Sequence, residues 1–120
     1  MGTIIEQAVI QGHIQKEHSR VYKRNIDFTD AASPDGLAET TLGEESGVLG
    51  RVSVLFGSPA PSSLVVTIKD VDGHQLLSEN LTSSGSLEMD NNIPYVGGLT
   101  LTLSGNTTAD AEALISFLSF

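Results

Sequence analysis

The side chains in this sequence that most often carry chemistry are three histidines, fifteen carboxylates and a large number of serines. With no cysteine present, disulfides, cysteine-ligated zinc, iron–sulfur clusters and thiol catalysis are excluded. His13 and His18 are five positions apart and would point to opposite faces of a strand, while His74 falls in a hairpin turn. Their spacing does not make them converge on a metal, so they read as exposed polar groups. Asp70 and Asp72 beside Gly73 resemble a fragment of a calcium loop. The chain then continues into His74, Gln75, Leu76 and Leu77 rather than into further oxygen ligands, which favours a plain turn. Asp90, Asn91 and Asn92 form a second oxygen-rich turn with the same reading. Glu44 and Glu45 are adjacent, so they diverge and do not form an acid/base pair. No serine has a Gly-x-Ser-x-Gly context, and no phosphate-binding or dinucleotide glycine pattern is present. The expectation is therefore no catalytic residue, no metal ligand, no cofactor and no enzyme. Asn80-Leu81-Thr82 and Asn106-Thr107-Thr108 fit the glycosylation pattern, which arises readily by chance in a Thr-rich chain.

Charge is the next constraint. Six Lys or Arg against fifteen Asp or Glu give a net charge of −9, which argues against a nucleic-acid partner because phosphates need a basic surface. The charge is also unevenly spread. Residues 1–24 hold four basic and two acidic groups, and the remainder holds two basic and thirteen acidic. Lys16, Arg20, Lys23 and Arg24 form the basic cluster, read here as a candidate contact with an acidic protein surface, set against pairing within the acidic body. No apolar run reaches the length of a membrane span and no basic-then-apolar leader opens the chain, so no membrane partner or secretory signal is expected.

The elements that would position these groups are mostly strands. A chain of 120 residues fits one domain with one core. Apolar residues recur with period two, as a strand with one buried face requires. This holds over residues 48–56 through Val48, Gly50, Val52, Val54 and Phe56, over residues 64–69 through Leu64, Val66 and Ile68, and most cleanly over Leu99, Thr100, Leu101, Thr102, Leu103 and Ser104. Asp70 to Gly73 reads as a tight hairpin turn, with His74 to Leu77 as a short return strand. Residues 21–29 read as a strand with Tyr22, Ile26 and Phe28 on one face, and residues 37–42 as a short edge strand. Pro59 and Pro61 enforce a loop. Residues 113–120 read as a terminal strand apolar on both faces, with Phe117 and Phe120 as candidate protein-contact residues. Ala111 to Leu114 are good helix formers, but Ile115, Phe117 and Phe120 favour a strand. The sum is an all-β fold, a single antiparallel β-sandwich of about seven to eight strands, jelly-roll-like or Ig-like. Residues 1–44 would contribute N-terminal strands or an arm bearing the basic segment, and residues 45–120 the sandwich body, as one domain. Two tyrosines and no tryptophan leave Tyr95 and Asn91 as the loop residues for a receptor- or glycan-binding alternative.

From residue 45 onward the chain runs in the order Gly47-Val48-Leu49-Gly50-Arg51-Val52, then Pro61 to Leu64, then Val65 through Leu77 with the Asp70-Val71-Asp72-Gly73 turn, and then Gly97 through Asn106 before a closing β segment. In this order it resembles small virion structural proteins of tailed bacteriophages. The resemblance implies a non-enzymatic component of the particle, located in the virion and made in the host cytoplasm. The role it implies is capsid decoration or cement bound to the major capsid protein, with a head–tail connector or tail-associated component as the alternative. Such proteins are homo-oligomers by analogy, with trimers common.

Overall fold

The computed structural model describes residues 3–6, 10–13, 20–30, 37–42 and 47–119. Among these described residues are ten strand segments: β1 Thr3–Glu6, β2 Ile10–His13, β3 Arg20–Thr29, β4 Leu37–Leu42, β5 Gly47–Phe56, β6 Leu64–Lys69, β7 Gln75–Leu81, β8 Gly85–Tyr95, β9 Leu99–Ser104 and β10 Glu112–Ser119. The fold is all-β, in two antiparallel sheets, as the period-two pattern requires. One sheet has the order β1-β3-β10-β5-β8, with β2 also paired to β3, and the other has the order β4-β9-β6-β7. Strands of residues 20–42 thus enter both layers, so the N-terminal third is woven into the same sandwich as the rest.

The core lies between the two inner faces. Leu99, Leu101 and Leu103 on β9 and Leu64, Val66 and Ile68 on β6 face Ile26 and Phe28 of β3, Val52 and Val54 of β5, and Ala113, Ile115 and Phe117 of β10. In β9 the burial alternates residue by residue, as six positions of Leu/Thr alternation demand. The first half of β5 departs from the expected face: Leu49 is fully buried and Val48 is only half-buried. Gly50 is the cause. The β10 ladder passes over it, with Leu118 opposite Arg51 and Ser119 opposite Leu49, and one unpaired residue exchanges the two faces of a strand.

Two further expectations change. The return strand of the hairpin extends through Leu81 instead of ending at Leu77, because β6 offers partners as far as Leu64, the ladder partner of Leu81. The turn expected at Asp90 to Pro94 lies inside β8. Its turn-forming residues appear as a break in register: Leu49 pairs with Ile93 and Arg51 with Glu88, so residues 89–92 sit opposite Gly50 alone. An oxygen-rich, turn-prone stretch has been accommodated as a wide excursion of one strand.

Phe117, expected as a protein-contact residue, is only 1% exposed and belongs to the core. Its ladder partners are Arg24 on β3 and Val52 on β5, so the inner face of β10 is covered by the protein's own second sheet. Phe117→Ala should cost about 3–5 kcal/mol, measured by chemical denaturation. Leu55→Ala on the outer face, where Leu55 is 60% exposed, should change stability by no more than about 0.5 kcal/mol.

Candidate interaction surfaces

Three of the four residues of the basic cluster stand on a strand of the sandwich and not on a detachable arm. Lys16 and Phe120 lie outside the described residues. Arg20, Lys23 and Arg24 lie on β3, an interior strand held between β1 and β2 on one side and β10 on the other. Arg24 pairs with the core residue Phe117 and is half-buried. Arg20 pairs with His13, and Lys23 with Ile10 on one side and Leu118 on the other. What appears along the sequence as one basic patch thus stands, in these three positions, on an internal strand of the sandwich.

The hairpin between β6 and β7 gathers three groups that spacing along the chain did not join. Asp70, Asp72 and His74 hold their ligand atoms within 4.8 Å of one another. The Asp70 carboxylate already serves the turn: its Oδ1 accepts the backbone N–H groups of Asp72 and His74, both at 2.9 Å. Gly73 closes the turn by donating to the Asp70 carbonyl at 3.1 Å with φ of 86°, a conformation open to glycine without strain. The arrangement explains this Asp-x-Asp-Gly-His sequence as turn chemistry.

At this hairpin lie two of the most exposed large apolar side chains among the described residues. Val71, in the β6–β7 turn, is 65% exposed and Val96, just after β8, is 73% exposed. The two loops meet because Gly97, with φ of 80°, lets its backbone lie against Val71; a Cβ there would sit 3.3 Å from the Val71 Cβ. Tyr95, the aromatic proposed for a glycan contact, is half-buried and packs against the core. Asn91 lies within β8.

The opposite role is played by a buried polar knot. The Asn106 amide donates to Asp30 Oδ2 at 2.6 Å and to the Thr108 carbonyl at 2.9 Å, while its Oδ1 accepts the N–H of Ser62 at 3.1 Å and of Thr108 at 3.0 Å. Asp30 and Asn106 are 3% and 2% exposed, and Asp30 N–H also donates to the Ala111 carbonyl at 2.9 Å. Every hydrogen-bonding position of this amide is occupied, which takes Asn106 out of consideration as a glycosylation acceptor in the folded protein. Nothing in its sequence context distinguishes this Asn from one in an ordinary exposed turn, because its partners are remote in the chain.

No protein-family model matches this chain, and no curated protein does. Among solved structures, it is similar to an oxalate oxidase studied for its mechanism, at 16% identity and a TM-score of 0.43, over 83% of this chain and 45% of that one. It is also similar to a Drosophila melanogaster CENP-C structure bound to CAL1, at 7% identity and a TM-score of 0.40, over 90% and 79% of the two chains. The chain therefore spans less than half the length of the first of these proteins.

Two outcomes follow from these surfaces. Asn106→Ala leaves the buried Asp30 carboxylate short of a donor and should cost roughly 1–3 kcal/mol, seen as a lower denaturation midpoint. Gly97→Ala should cost about 1–2 kcal/mol through its positive φ and loosen the Val71 tip, visible as faster amide exchange in the β6–β7 turn.

Proposed function

We propose that this chain is a non-enzymatic structural protein of a tailed-phage particle, a decoration or cement protein that binds the major capsid protein. Two things support the reading: the resemblance of residues 45–120 to such proteins, and the exposed Val71–Val96 tip. The tip is the observation that carries it. The β6–β7 turn and the β8–β9 connection place their valines side by side, 65% and 73% exposed, where burial in a partner would remove apolar area from water. Asp70 and Asp72 flank Val71 in the same turn, giving the tip an acidic margin that selects a partner with basic groups around an apolar hollow.

A role in a shell suits such a contact. A small interface of modest affinity becomes effectively permanent when many copies of the partner are displayed together. Attachment by the tip would leave both sheet faces pointing away from the capsid surface.

The test is binding to particles purified from the encoding phage and stripped of this protein. Wild-type chain should co-sediment with them at a copy number comparable to that of the major capsid protein. Val71→Asp and Val96→Asp, which alter exposed side chains and should leave the fold intact, should each weaken binding by about tenfold or more. Absence of the chain from the virion, or undiminished binding by both variants, would overturn the reading.

A further inference from the structure

The edge of a β-sheet offers unpaired backbone N–H and C=O groups to any extended chain that reaches it. Among the described strands most of the edges are blunted. β1 and β2 are four residues each, β4 lies against β1 of the other sheet, and β8 holds Pro94 and loses register over residues 89–92. β7 is different. Its seven residues, Gln75–Leu81, include no proline, glycine, lysine or arginine and pair with β6 as far as Leu81. The strand ends the four-stranded sheet, with no described strand on its other side.

The ladder orders the side chains along that edge. Leu77 pairs with Ile68, Glu79 with Val66 and Leu81 with Leu64. Those three partners are fully buried, so Leu77, Glu79 and Leu81 stand on the core side of β7. Leu77 and Leu81 are half-buried and pack against the core, while Glu79 between them is exposed. A carboxylate on the core side of an edge acts as a selective guard. A strand laid along β7 would desolvate it, at a cost that a cation on the incoming strand offsets and an apolar residue does not. A second copy of β7 fails that condition. In an antiparallel pairing, residues opposite one another point to the same side, so Glu79 would face Leu77, Glu79 or Leu81 of the other copy and never a cation.

We propose that β7 is a docking edge for an extended segment of a partner protein, a strand whose alternate residues read apolar, basic, apolar. The segment adds to this sheet as a fifth strand, antiparallel like the ladders already in it. Its backbone takes up the free N–H and C=O groups of β7, its apolar residues extend the core past Leu77 and Leu81, and its Lys or Arg lies opposite Glu79. Main-chain bonds supply the affinity, and the carboxylate at Glu79 selects the partner, since a strand without a cation at that position buries the charge unpaired.

The experiment uses neither a capsid nor the Val71 tip, so its outcome is separate from that of the particle reading. The probe is a blocked heptapeptide in which threonine alternates with valine, lysine and valine. Titrated into isotope-labelled protein, it should shift the backbone amide resonances of Gln75–Leu81 saturably and leave those of β4 in place. Replacing its lysine by glutamate should weaken binding about tenfold or more. Glu79→Lys changes an exposed side chain and should keep the fold, checked by circular dichroism, while reversing that preference. A fully N-methylated form of the lysine peptide, with no N–H left to donate, should not bind, which separates backbone pairing from charge attraction alone. The proposal is overturned by the absence of a saturable shift on β7, by equal binding of the lysine and glutamate peptides, or by an unreversed preference in folded Glu79→Lys. Full binding by the N-methylated form would overturn it too, as would shifts of β7 on raising the protein concentration without peptide, the mark of a second copy on the edge.

Discussion

The structure depends on the burial of one short row, Ala113, Ile115 and Phe117 on β10. This strand sits at the centre of the six-stranded sheet, between β3 from the first third of the chain and β5 from the middle. Its three inward side chains are at most 6% exposed, and they rest against the leucines and valines of β6 and β9 across the sandwich. Removing that row from water is a large gain for a chain that has no disulfide to limit its unfolded state. Everything else is arranged around keeping this strand in place.

The polar knot at Asn106 shows how. Segments ending β3, preceding β6 and joining β9 to β10 all converge there, tied by bonds from one side-chain amide to Asp30, Ser62 and Thr108. Such an arrangement is favourable only when complete, because each buried polar atom left without a partner carries a desolvation penalty. No buried side-chain N or O among the described residues lacks a partner. The end of the sandwich is therefore fixed by specific hydrogen bonds, while the middle is fixed by apolar contact.

How much of this was legible in the sequence varied with the range of the interaction. The Leu99–Ser104 alternation and the Asp70–Gly73 turn are local codes, and both read correctly from residue type alone. The inner face of β5 was read one residue out of phase before Gly50, because a glycine skipped by a ladder leaves no mark in composition. The turn signals of Asp90 to Asn92 were genuine but were absorbed as extra residues within β8, where the neighbouring strand decided the outcome. Arg20, Lys23 and Arg24 looked like a docking patch since charge is visible in a sequence and strand order is not. The strand that carries all three, β3, lies inside a sheet. The Asn106 knot was beyond reach because two of its partners are 76 and 44 residues away, and a pairing at that distance is written only in the fold.

The strand order has a kinetic consequence as well. Among the described turns, that of the β6–β7 hairpin joins neighbours in the chain and forms from its own residues, and such hairpins close within microseconds. The pairings of β3 with β10 and of β4 with β9 must draw together segments from opposite thirds of the polypeptide, each against the entropy of a long loop. Domains dominated by pairings of that span reach their native state in milliseconds to seconds. A newly made chain therefore spends most of its folding time with one finished hairpin and with open strand edges elsewhere, and in a crowded cell those edges are the places where two immature copies would first stick together.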